Sequence, residues 1–246
     1  MSDILAVPIE APPELPTQPI APVWHTVVVL VFLLGVSGFG AYAQYRGHWA
    51  AQSTPQARTG HYVRAVLMEW AIVAFLWYGV RRQGVKFRTL IGERWTRPSA
   101  VLRDLGIGFL FLIGSNVILQ IVAHLVGAKA NQAIRNLVPH SHHEVAPYLL
   151  LALTAGICEE IIFRGYLQTQ FKAWMKNDVA ALTLQGVIFG AAHGYQGIGH
   201  MVVLAVFGCL FGVLAFWRRS LIPGMMAHAM QDGAIGLLML LRHAVK

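Results

Sequence analysis

Charged side chains are scarce in this chain of 246 residues: Asp, Glu, Lys and Arg together make up 12%, against about 25% in a soluble globular domain. That deficit excludes an ordinary water-facing surface over most of the sequence. Cysteine is almost absent. Cys158 and Cys209 both lie inside apolar runs, which excludes a disulfide framework. The first 22 residues contain no Lys or Arg, so they lack the basic start of a secretory signal peptide. No internal repeat of the kind that marks many transporters is visible.

Apolar sequence fills the space. Hydrophobic types account for 56% of the residues and the mean hydropathy is +0.56. Seven runs approach the roughly 20 residues that span a bilayer: about 24–43, 63–80, 105–126, 145–168, 179–193, 200–217 and 221–241. The fold expected is an all-α polytopic transmembrane helix bundle of about seven to eight spans, the eighth arising if one long run is broken. Residues 1–22 carry six prolines and read as a flexible tail. Residues 23–246 read as a single transmembrane domain.

The net charge is +8. The basic residues sit between apolar runs, so they read as topology determinants and lipid-headgroup contacts, and nucleic acid is not an expected partner. Arg81, Arg82, Lys86, Arg88, Arg94, Arg97 and Arg103 form the densest positive stretch. The positive-inside rule places it, and hence the N-terminus, on the cytoplasmic side. An integral protein of a bacterial inner membrane is the expected setting. Within the stretch, VKFRTLIGERW alternates apolar and charged residues and reads as a short amphipathic helix along the membrane surface.

Ionisable groups inside spans are costly and default to functional candidates. The fourth run holds Glu159, Glu160 and Arg164 in AGICEEIIFRGYLQ. Glu160 and Arg164 share a helical face, so the guanidinium can neutralise Glu160. Glu159 points about 100° away and is the better acid/base candidate. The fifth run places Phe189 and His193 on one face, and Gly190, Ala191 and Ala192 allow a neighbouring helix to approach closely. The last run places His228 and Asp232 at i, i+4. A carboxylate and two imidazoles are the groups that activate water and stabilise an oxyanion.

Each feature has a plainer reading. A Glu–Arg pair can be a structural ion pair, a buried His a satisfied core residue, and Phe189 packing. His140, His142, His143 and Glu144 resemble a metal-ligand tract but read better as a solvated loop cluster. Cys158 reads as an inert small residue, and Asn116 and His124 as helix–helix hydrogen bonders. One tension stands. Glu159 falls in the cytoplasmic half of the fourth run and His193 in the outer half of the fifth. They meet only if the fifth helix sits lower or ends later than its apolar run.

The ordered motifs E-E-x-x-x-R at Glu159 to Arg164, F-x-x-x-H at Phe189 to His193 and H-x-x-x-D at His228 to Asp232 resemble the CAAX protease and bacteriocin-processing family. The resemblance covers roughly residues 145–240. It implies an intramembrane endopeptidase of the glutamic type, acting on membrane-embedded or lipid-anchored peptides or proteins. CAAX-type processing, removal of C-terminal sorting signals and bacteriocin-like precursor cleavage are the substrate classes it opens. It implies that Glu159 activates water, that His193 assists with water or substrate, and that His228 and Asp232 serve the oxyanion. Glu160, Arg164 and Phe189 would support them. Members with a clear CAAX-cleaving role tend to carry Asn where Asp232 stands. An ionised Asp232 cannot donate a hydrogen bond: it is protonated, it orients His228, or it joins Glu159, His193 and His228 in holding zinc. No cofactor is expected on the first two readings. A metal-dependent protease is the alternative chemistry. A proton-coupled transporter, or a non-catalytic membrane scaffold or immunity protein, is the alternative function.

Overall fold

The computed structural model describes residues 18–46, 54–92, 95, 97–129 and 132–244. Among the described residues it is all-helical, with one isolated antiparallel bridge between Gly92 and Ser220. The helices are α1 (Val23–Tyr45), α2 (Pro55–Arg82), α3 (Arg88–Ile91), α4 (Pro98–Leu125), α5 (Gln132–Leu137), α6 (His142–Glu159), α7 (Gln168–Met175), α8 (Asp178–Ala192), α9 (Ile198–Arg218) and α10 (Ile222–Ala244). A π-helical segment, Glu160–Leu167, joins α6 to α7. A short 3-10 turn, Gly194–Gln196, follows α8.

Each apolar run became a helix. Five are long and apolar enough to cross a membrane by length and composition: α1, α2, α4, α9 and the continuous 34-residue rod His142–Met175. At 15 residues, α8 is shorter. Local chemistry sets several ends. Thr54 caps α2 by accepting from the Ala57 N–H, with Pro55 in the first turn. Asn177 caps α8 by accepting from Ala180, and Asp178 faces the positive end of that helix.

The rod His142–Met175 is the centre. Its most apolar window is 56% buried, against 17–28% for the other four spans. Those four turn apolar side chains outward, among them Val31, Phe39, Leu110 and Val213, as a surface facing lipid tails does. Helix α9 runs parallel to the rod. Arg164 and Gln168 donate to the carbonyls of Gly208 and Gly212 at a constant offset of 44 residues. Helix α8 runs antiparallel to both, and its Gly186 meets Gly208 of α9 so closely that a Cβ on Gly208 would lie 2.7 Å from the Gly186 Cα. The expected close approach at Gly190 is also present: a Cβ there would collide with the Met201 carbonyl.

Helix α10 packs antiparallel on α6. A Cβ on Gly156 would lie 2.6 Å from the Ala229 nitrogen. Helix α2 runs parallel to α6, joined at one end by the buried ion pair Arg58–Glu144 (2.6 Å) and one turn further by Tyr62 on Tyr148. Glu144 also accepts from the His140 N–H and the Ser141 hydroxyl. It is therefore a buried anchor of the bundle, and the solvated-cluster reading fails for it.

Three further expectations are revised. The segment around α3 is not simply laid along a surface: Leu90 is buried, and the Ile91 carbonyl accepts from Leu221, so the segment closes the α9–α10 turn. Asn116 donates to the Leu112 carbonyl of its own helix and His124 is exposed, and among the described residues no hydrogen bond joins either to a neighbouring helix. The tail expected over 1–22 lies mostly outside the described residues. Its last part is held: Ile20 and Ala21 are fully buried, and Gln170 accepts from both their N–H groups and donates to the Ala21 carbonyl.

Candidate active site

The antiparallel rod and α8 bring the Glu–Glu and Phe–His motifs to one level. Arg164 lies over the Phe189 ring at 4.5 Å, and Glu159 faces His193. Glu159 is 16 residues before the end of α7 at Met175, and His193 is 15 residues after the start of α8 at Asp178. At roughly 1.5 Å per residue the two arms of this hairpin match in height. The tension in the topology disappears because the fourth helix extends past its apolar run, so that Glu159 sits at mid-rod.

Glu159 Oε1 lies 3.9 Å from His193 Nε2, and its Oε2 lies 3.7 Å from His228 Nε2. Both gaps exceed a direct hydrogen bond and suit one bridging water. His193 Nδ1 bonds the Phe189 carbonyl at 2.8 Å. A carbonyl only accepts, so Nδ1 carries the proton and the Nε2 lone pair faces Glu159 in the neutral ring. The Phe189 ring packs against His193, with centroids 4.7 Å apart.

His228 is held by Glu160: its Nδ1 lies 3.0 Å from Glu160 Oε1. Glu160 in turn pairs with Arg164 at 2.9 Å, and both side chains are buried. Asp232 Oδ2 lies 3.7 Å from His228 Nε2, outside hydrogen-bonding distance. The carboxylate that orients the His228 ring is thus Glu160, where Asp232 was the residue considered for that task. Asp232 is the most exposed of the four, with 35% of its side-chain surface open. The expected separation of Glu159 from Glu160 around the helix holds in an unexpected way, since one imidazole addresses both through its two nitrogens. The π segment begins at Glu160, between the two carboxylates, and such segments occur often at functional sites.

Arg164 sits within 6.0 Å of four phenylalanine rings, Phe163, Phe189, Phe207 and Phe211. Phe207 and Phe211 also flank His228. Apart from Phe189, these rings escape sequence reasoning because a Phe in an apolar run looks like any other lipid-span residue. Two more groups belong to the neighbourhood. Tyr148 donates to the Asp232 carbonyl. Tyr195, in the turn after His193, packs against the His193 ring with centroids 6.0 Å apart. Among the described residues, no three His, Cys, Asp or Glu side chains are grouped closely enough to hold one metal ion.

Residues 141–234 match the family model described as Type II CAAX prenyl endopeptidase Rce1-like. The matched segment begins just before α6, ends within α10 and contains all three motifs. No curated protein and no solved structure matches the chain.

Proposed function

We propose that this integral membrane protein, whose residues 141–234 match the model of Rce1-like type II CAAX prenyl endopeptidases, is an endopeptidase that hydrolyses membrane-associated peptides or proteins by carboxylate-activated water attack. The observation that carries the reading is the placement of Glu159 between two imidazole Nε2 atoms at water-bridging distances.

A water in that gap donates one hydrogen to Glu159 and the other to the His193 lone pair, leaving an oxygen lone pair for the scissile carbonyl. Glu159 takes the proton as the carbon–oxygen bond forms. His228 serves the oxyanion in its doubly protonated form: Glu160 accepts the Nδ1 proton, so the Nε2–H projects into the reacting gap. Arg164 balances the charge of Glu160, and the four rings exclude bulk water. Asp232, at the open edge, is the group nearest an entering chain. The proposed orientation puts the basic segment 81–103 and the turn at Arg218–Arg219 on the cytoplasmic side.

The test uses purified protein in lipid nanodiscs with a panel of quenched, membrane-anchored peptides covering CAAX-type, sorting-signal and bacteriocin-precursor termini. Glu159→Ala is expected to lower cleavage by about 100- to 10,000-fold, the usual range for a lost general base. Full cleavage by that variant overturns the reading. Cleavage is expected to persist in a chelator. Loss restored by zinc transfers the chemistry to a metal held by Glu159, His193, His228 and Asp232.

A further inference from the structure

Glu69, on α2, lies outside all three motifs and outside the matched segment. Helices α2 and α6 run parallel with Arg58 opposite Glu144 and Tyr62 opposite Tyr148. The same offset carries Glu69 to the level of Ala155, one turn before Glu159. Its Oε2 is closed off from solvent and has no hydrogen-bond partner among the described residues. Its carboxyl interacts electrostatically with Glu159 and Asp232, with Cys158 and with Tyr195. Register and electrostatics together put the Glu69 carboxyl in the neighbourhood of Glu159 and Asp232.

Structural carboxylates elsewhere in this bundle are paired with cations: Glu144 with Arg58, and Glu160 with Arg164. Glu69 faces two further carboxylates. A carboxylate oxygen closed off from solvent without a hydrogen-bond partner is costly, and Glu69 Oε2 is such an oxygen.

The hydrolysis proposed above leaves one need unmet. An amide nitrogen must gain a proton before the C–N bond breaks, because an amide anion is too basic to leave. Glu159 stands on the water side of the scissile carbonyl. We propose that Glu69 is the proton donor to the leaving amine. The inference rests on the endopeptidase reading. Glu159 takes a proton from water as the hydroxide oxygen bonds the carbonyl carbon. The Glu69 carboxylic acid gives its proton to nitrogen, and the C–N bond breaks with its electron pair on the amine. The Glu69 carboxylate then recovers a proton from the Glu159 carboxylic acid. The net change is one water consumed, with one acid and one amine formed.

The experiment compares two membrane-anchored substrates of identical sequence, one with an amide and one with an ester at the scissile position. An alcohol leaves with far less help from a proton. Glu69→Gln is expected to lower kcat for the amide by about 100-fold or more and kcat for the ester by less than about threefold, with KM unchanged. Glu159→Gln is expected to suppress both. Equal loss on both substrates, or no loss on either, overturns the assignment while leaving the endopeptidase intact. No cleavage of either substrate by the wild-type protein overturns both readings. A second measurement covers a Glu69→Gln variant that does not fold: wild-type rates on a series of substituted anilides. A proton donor makes the rate nearly independent of amine basicity, and a steep dependence overturns the proposal.

Discussion

Adding one methyl group where α6 crosses α10, by Gly156→Ala, should disable the site without touching it. Helix propensity alone favours alanine by up to about 1 kcal/mol. The contact reverses that sign. The new Cβ would lie 2.6 Å from the Ala229 nitrogen and 2.8 Å from both the Ala229 Cβ and the Met225 carbonyl. These are backbone atoms and a Cβ, so no flexible side chain can swing aside. Reaching the 3.4 Å at which ordinary contact begins requires the helices to part by about 0.8 Å. Glu159 follows Gly156 by three residues on one helix, and His228 precedes Ala229 on the other. The 3.7 Å gap between them widens by a similar amount. A misplacement of that size costs roughly 100-fold in rate, and the overpacking costs about 1–3 kcal/mol. The assay is kcat/KM on a quenched membrane-anchored peptide, paired with thermal melting. Gly114→Ala on α4 is the control, because a Cβ there meets nothing within 4 Å. It should cleave normally and melt no lower. Wild-type cleavage and melting by Gly156→Ala would refute the claim that this crossing sets the distance between the catalytic groups.

Two further outcomes test the support of the site and the N-terminal anchor. Arg164→Met leaves buried Glu160 with His228 as its one remaining partner among the described residues and should cost about 3 kcal/mol. Adding Glu160→Gln should recover part of that loss, so additive effects in a denaturation cycle would show that the pair is not coupled. Gln170→Leu removes three hydrogen bonds from Ile20 and Ala21 and leaves two buried N–H groups unsatisfied, at about 1–3 kcal/mol each. Limited proteolysis should then cut near residues 18–22 at least tenfold faster, and unchanged cleavage would show that the segment is held by other means.

The helices and the ion pair were readable because their signals are local. Apolar runs define spans, and Glu160 and Arg164 four residues apart must meet on any helix. What could not be read was how far each helix extends beyond its apolar run. The rod continues to Met175 through Lys172, and that added length brings Glu159 level with His193. The partner of His228 was equally out of reach, since choosing Glu160 over Asp232 depends on how α10 is rotated against the rod. Of the box around Arg164 only Phe189 left a trace, through its spacing to His193, because phenylalanine is otherwise unremarkable in a lipid span. Glu69 is different. It is an acid within the second apolar run, and the rule that picked out Glu159 applies to it as well. It lacks a neighbouring polar residue at helical spacing to draw attention.

The closed turn between α9 and α10, held by the Gly92–Ser220 bridge and the Leu221–Ile91 hydrogen bond, marks one face of the bundle. From Leu221 to His228 is seven residues of helix, or roughly 10 Å, in a hydrocarbon layer about 30 Å thick. With Leu221 at the edge of that layer, the candidate catalytic groups lie about a third of the way in from that face. An extended chain advances about 3.3 Å per residue. A substrate strand leaving the site toward this face crosses the distance in about three residues, while one leaving toward the opposite face needs about twice as many.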